Sequence, residues 1–176
     1  MNPSTLSIRT ARPDELETAS AIIRAAYAEY AGAMPGGRFE RYIGHAADVW
    51  SRSGEAELIV AELEGRLVGT VTLYPDASDS GQGGWPNGMA GIRLLGVHPE
   101  ARGLGIGRAL TEECIERARS RGAAAIGLHT TEMMAVARAM YERMGFIRVP
   151  DLDYNPTSGI QVMAYRLGLE PRPEYP

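Results

Sequence analysis

The run Arg102-Gly103-Leu104-Gly105-Ile106-Gly107 constrains this chain more than any other stretch. It follows a strand-like segment, Ile92-Arg93-Leu94-Leu95-Gly96-Val97, and opens a helix-like segment from Arg108 to Arg121 that Gly122 stops. Ala124-Ala125-Ile126-Gly127-Leu128-His129 then reads as another strand. Strand, helix and strand at this spacing imply a parallel pair joined by a right-handed crossover. Alternating glycines at the first turn leave several backbone N–H groups uncrowded by side chains. At a helix N-terminus such amides form a concave donor cluster suited to phosphate oxygens.

Two common phosphate loops are excluded. A dinucleotide fingerprint begun at Gly103 or Gly105 needs glycine where Arg108 or Leu110 stands. Gly-Lys followed by Ser or Thr, which a nucleotide-triphosphate loop needs, does not occur. The pattern that fits is longer. Val97-His98-Pro99-Glu100-Ala101-Arg102-Gly103-Leu104-Gly105-Ile106-Gly107 resembles the acyl-coenzyme A signature of the GNAT acetyltransferase superfamily. A second stretch, Ala137-Arg138-Ala139-Met140-Tyr141-Glu142-Arg143-Met144-Gly145-Phe146, is similar to that superfamily's Ala-x-x-Leu-Tyr-x-x-x-Gly-Phe, with Met140 in place of the leucine.

The resemblance implies acetyl-CoA as cofactor and assigns its contacts. The pyrophosphate would lie on Arg102, Gly103, Leu104, Gly105, Ile106, Gly107 and Arg108. There the amides from Leu104 to Arg108 would donate, and the Arg102 side chain would order the turn or add positive charge. The pantetheine arm would follow the main chain of Leu95, Gly96 and Val97, and Ala137 is assigned to the same cofactor site. Gly96 reads as a bulge or a point of close backbone approach, which could splay this strand from Ala124–His129. A main-chain N–H there could polarise the thioester carbonyl. Tyr141 matches the tyrosine placed against the sulfur, where a phenol could protonate the departing thiolate. On the residues alone, Tyr141 could equally be a core tyrosine with a satisfied hydroxyl.

Two positions depart from the superfamily pattern. Ala90-Gly91-Ile92-Arg93 stands where an Ala-Glu-Ile-Arg context often supplies the general base, so Gly91 replaces that carboxylate. Met134 stands where an asparagine often lies. Substitute routes for the amine proton are His129 at the carboxyl end of its strand, Glu132, or a water relay. Glu132 also reads as a helix cap, and His98 as a residue that orders the glycine turn.

The rest of the chain fits an α/β domain of the GNAT fold: a mixed central sheet, mostly antiparallel with one parallel pair, flanked by helices on both faces. Leu6–Arg9 alternates as a strand, and Pro13-Asp14-Glu15 starts a helix whose apolar positions run to Tyr30. A shorter helix is expected over Phe39–Trp50, and Glu57–Leu63 with Arg66–Tyr74 reads as a hairpin. Pro75–Gly88 is a long turn-rich loop, functional or disordered, that carries Trp85. A helix over Met133–Met144 and strands over Phe146–Val149 and Ile160–Leu167 complete the order. One domain is expected over residues 1–169, with 170–176 as a flexible tail.

Composition narrows the partners. A net charge of −4 and a pI near 5.4 leave no electrostatic footprint for nucleic acid. Cys114 is the single cysteine and lies in step with Ile106, Leu110 and Ala118, so it reads as a buried apolar residue. No apolar run is long enough for a membrane span, no leader is read at the N-terminus, and no metal site is expected; a cytoplasmic protein is inferred. The implied reaction is direct acetyl transfer in a ternary complex to a primary amine of a small molecule or peptide. Alternatives are a CoA-binding regulatory module, or a different acyl group or acceptor. Acceptor contacts are sought in Tyr27–Trp50, around Trp85 and in Asp151–Tyr154. Asp76, Asp79, Asp151 and Asp153 read as solvated loop acids that could attract a cation, and a homodimer is an expectation from the superfamily.

Overall fold

The computed structural model describes residues 6–52, 54–81, 83–155 and 160–169. Its strands are β1 (Leu6–Thr10), β2 (Glu57–Leu63), β3 (Arg66–Tyr74), β4 (Met89–Val97), β5 (Ala125–Thr131), β6 (Ile147–Arg148) and β7 (Val162–Gly168). Its helices are α1 (Leu16–Tyr27), α2 (Arg38–Ala46), α3 (Ile106–Ser120) and α4 (Ala135–Arg143). The strands hydrogen-bond in the order β1-β2-β3-β4-β5-β7-β6. The parallel pair is β4–β5, joined by α3 as expected, while β1–β2, β2–β3, β5–β7 and β6–β7 are antiparallel. The expected tail over 170–176 lies outside the described residues.

Two helices end earlier than their apolar spacing suggests. After Tyr27 the chain tightens into a 3-10 segment, Ala28–Ala33, instead of carrying α1 to Tyr30. The α2 helix stops at Ala46 because Arg52 folds back on its last carbonyls. Its Nη2 donates to the Ala46 oxygen at 2.7 Å and its Nη1 to that of His45 at 3.2 Å. A cation there satisfies orphan acceptors and favours the negative end of the helix dipole.

The chain divides into two compact units. The first holds the stretch up to Leu73 together with Leu94–Glu113. The His98 N–H donates to the Val68 oxygen at 2.8 Å, which sets Gly96 opposite Thr70. A Cβ at Gly69 would stand 2.9 Å from Ile106 of α3, and one at Gly96 would stand 3.2 Å from Ala26 of α1. Neighbours along a strand point to opposite faces, so α3 and α1 cover opposite faces of this part of the sheet. The entry to α1 is locked by Glu15, which is buried and accepts from Arg9 at 2.7 and 2.8 Å and from the Arg12 N–H at 2.7 Å. The Arg9 hydrogen bonds hold the Glu15 carboxyl down at about 2.

The second unit holds Tyr74–Arg93 and the stretch from Cys114 onward. Here Ala77, Trp85, Met89, Ala125 and Ala164 form a buried cluster, with Val149 and Leu152 packed against it. Ala77 and Trp85 of the long loop before β4 are thus part of the core. Asp76 closes it, accepting from the Ser78 N–H at 3.0 Å and the Gly88 N–H at 3.4 Å. Cys114 is fully buried on the same stripe of α3 as Ile106, Leu110 and Ala118. Among the described residues no helix is long and apolar enough to cross a membrane, and no group of His, Cys, Asp and Glu could hold a metal ion.

Candidate functional site

The glycine turn has the conformation its sequence demands. Gly103 and Gly105 are left-handed, at φ 79° and 76°, and Ile106 begins the 15-residue α3 directly after them. A Cβ added at either glycine would meet nothing within 4 Å, so the space above the turn is open. Open space over main-chain amides at the positive end of a long helix fits a diphosphate. His98 orders the approach: its Nδ1 accepts from the Glu100 N–H at 3.4 Å. Arg102 turns toward α1, where its Nη2 donates to the Ala26 oxygen at 2.9 Å and pairs with Glu29 at 2.8 Å. Of the two roles read for Arg102, its contacts are those of a brace on the turn.

Of the two readings of Gly96 on β4, a bulge or a point of close backbone approach, its contacts are those of close approach. The left-handed residue is Leu94, at φ 54°, whereas Gly96 is the point of close approach, where an added Cβ would stand 3.2 Å from the Ala26 Cβ and 3.7 Å from the Ile23 Cα. Nothing in the sequence marks Leu94, because a leucine seldom adopts this conformation. The β4–β5 ladder runs from Met89↔Ala125 to Ile92↔Leu128, so the kink comes two residues after its last pair. Tyr27 of α1 donates its hydroxyl proton to the Leu95 carbonyl at 3.1 Å.

In the second unit Tyr141 is buried on α4 and packs edge-on against Phe146 at 5.6 Å between ring centroids. Ala137 lies one turn earlier on the same helix, half-buried. The cap expected from Glu132 is corrected. Helix α4 starts at Ala135, its N-cap is Met134 with no side-chain bond, and Glu132 is exposed in the turn before it.

The missing carboxylate has a steric counterpart. Gly91 and Gly127 face each other across the parallel ladder. A Cβ at Gly91 would stand 3.0 Å from the Ala77 Cβ, and one at Gly127 would stand 2.7 Å from the Trp85 ring. The loop thus occupies the ground from which a side chain at 91 would project. Two residues on, the His129 ring is tilted against Trp85 at 4.9 Å and edge-on at 5.1 Å to Tyr154. Its Nε2 lies 3.1 Å from the Leu152 carbonyl, which can only accept, so Nε2 carries the proton and Nδ1 is the basic nitrogen. Burial lowers the His129 pKa, against the opposing pull of the Leu152 carbonyl.

Asp153 is another correction. It is no solvated loop acid: Arg148 clamps it through two bonds of 2.7 Å, and the Ala164 N–H donates to it at 2.8 Å. The Arg148 bonds first, and the Ala164 N–H after them, lower its pKa.

Solved structures share this fold. The ribosomal-protein-S18-alanine N-acetyltransferase of Escherichia coli aligns with TM-score 0.66 and 20% identity over 94% of each chain. A GNAT family acetyltransferase from Brucella melitensis, solved with acetyl-CoA, aligns with TM-score 0.63 and 23% identity over 96% of this chain and 91% of that one. At such identities the likeness is one of fold: the architecture is that of the N-acetyltransferases.

Residues 23–146 match the acetyltransferase (GNAT) family, and the chain belongs to that family. Among curated relatives, a mycothiol acetyltransferase from Cellulomonas flavigena is 36% identical over 63% of this chain and 34% of its own length. One from Thermomonospora curvata is 32% identical over 83% of this chain and 46% of its own length. The chain therefore spans less than half the length of these two relatives.

Proposed function

We propose that this chain transfers the acetyl group of acetyl-CoA to a primary amine of a small molecule, directly and within a ternary complex. The observation that carries the reading is the pair of left-handed glycines, Gly103 and Gly105, opening α3 onto unobstructed space. Acetyl-CoA, when bound, supplies a thioester carbonyl activated for attack by nitrogen. The amides of Leu104 to Arg108 bind the diphosphate, and the main chain of Leu95, Gly96 and Val97 aligns the arm. An N–H of that strand polarises the thioester carbonyl.

Tyr141 gives a proton to the sulfur as the C–S bond breaks, and His129 Nδ1 takes the proton that the amine loses. A histidine with a depressed pKa is neutral at pH 7, the form a base requires. Full burial of Cys114 supports direct transfer over a cysteine-bound acyl group. Relatives named mycothiol acetyltransferase support a small-molecule acceptor. Proximity and orientation then supply most of the rate.

Calorimetry with acetyl-CoA, followed by thiol release with a panel of primary amines, tests the reading. Saturable binding and amine-dependent release are expected; no binding to acetyl-CoA sinks it. A second reading, a CoA-binding module without turnover, is favoured by the glycine at position 91 alone, and predicts binding without release.

A further inference from the structure

Two consecutive residues of α1 touch both main-chain stretches assigned to the donor. The Ala26 carbonyl accepts from Arg102 at the mouth of the glycine turn, and the Tyr27 hydroxyl donates to the Leu95 carbonyl. The direction of that carbonyl follows from the strand. His98 donates toward β3, and main-chain groups alternate along a strand. Those of Gly96 therefore point to β3 as well, while those of Leu95 and Val97 point to the edge away from it. The Leu95 oxygen has two lone-pair directions, of which Tyr27 takes one. Just upstream, Leu94 is left-handed and lies two residues past the last β4–β5 pair, Ile92↔Leu128, so the Leu95 carbonyl is not held by that ladder. Gly96 lets α1 come this close, since an added Cβ would stand 3.2 Å from Ala26 and 3.8 Å from the Tyr27 ring. Tyr27 is itself immobilised: it is buried, and its ring abuts Tyr30 at 5.9 Å and Tyr42 at 6.0 Å.

We propose that Tyr27 is a positioning residue of the donor site, fixing the Leu95 carbonyl so that its second lone pair accepts from an amide N–H of the pantetheine arm. This rests on the reading of Leu95–Val97 as the arm's edge. Tyr27 acts on the arm and not on the diphosphate, and that division is what the test uses. Calorimetry would compare CoA with 3′,5′-ADP, which carries the phosphates and no arm, on the wild-type chain and on Tyr27→Phe.

The variant is expected to weaken CoA about five- to tenfold, the loss of roughly one neutral hydrogen bond. It should bind 3′,5′-ADP as the wild type does, which also shows that it is folded. In turnover, the KM for acetyl-CoA rises while that for the amine stays unchanged. Unchanged CoA affinity overturns the proposal, and so does a parallel loss of both ligands, which would mark Tyr27 as a purely structural contact. If the wild type binds neither ligand, it is the acetyltransferase reading itself that fails.

Discussion

A Cβ on Gly91 would come within 3.0 Å of the Ala77 Cβ, so the loop before β4 fills the place of a side chain at position 91. Glycine here is a packing requirement of the loop as well as the absence of a carboxylate. Gly91→Glu is therefore expected to displace Ala77, to destabilise the fold by about 1–3 kcal/mol, and to leave turnover no faster. Thermal unfolding and kcat measured on the variant check this. A faster enzyme with an unchanged Tm would contradict it.

Gly105 is left-handed at φ 76°. A β-branched residue there is strained by about 1–2 kcal/mol, and relief of that strain would move the amides of the turn. Gly105→Val is expected to weaken acetyl-CoA binding at least tenfold by calorimetry, with a smaller loss of Tm.

Glu15 carries a prediction for acid stability. Its folded pKa, about 2, lies below the ordinary 4.5 because Arg9 and the Arg12 N–H bind the charged form. The contribution is present above pH 4.5 and is lost as pH falls toward 2. Glu15→Gln should cost about 2 kcal/mol at pH 7 and flatten the fall in Tm between those limits. A variant whose Tm tracks the wild type at every pH would remove Glu15 from this role.

His129 too has a lowered pKa, here because burial disfavours its charged form. Burial lowers its pKa below 6.5, so it stays neutral until the medium is more acid than that. Its imidazole resonances should titrate below 6.5, and the acid limb of kcat/KM should follow the same group. Protonating it costs the native state, so stability on its account declines as pH drops from 6.5 toward the folded pKa. His129→Gln is expected to abolish that acid limb. A limb that persists would leave the amine proton to another acceptor.

Tyr141 packs on Phe146 through its ring, so Tyr141→Phe keeps the contact and removes the acid. A fall in kcat of about 10²–10⁴ is expected with the donor Kd unchanged. Stopped-flow thiol release and calorimetry on the same sample separate the two quantities.

What the residues disclose on their own depends on how local each cause is. The conformation of the glycine turn, the α3 stripe through Cys114 and the parallel β4–α3–β5 connection are encoded in short stretches. The end of α2 is not local, because Arg52 closes the helix from six residues beyond Ala46. The kink at Leu94 has no signature in the residue type. Asp153 has the sequence context of an ordinary loop acid, since its partner Arg148 is brought to it by the fold. The reason for glycine at 91 lies in Ala77, fourteen positions away in the chain and across the sheet surface.

The bond from Arg102 to the end of α1 has a kinetic corollary. A nucleotide arriving at this turn meets a loop already tied down, so little entropy remains to be surrendered when its phosphates settle. Association should then proceed in a single phase, linear in ligand concentration, without the plateau that a slow rearrangement would impose.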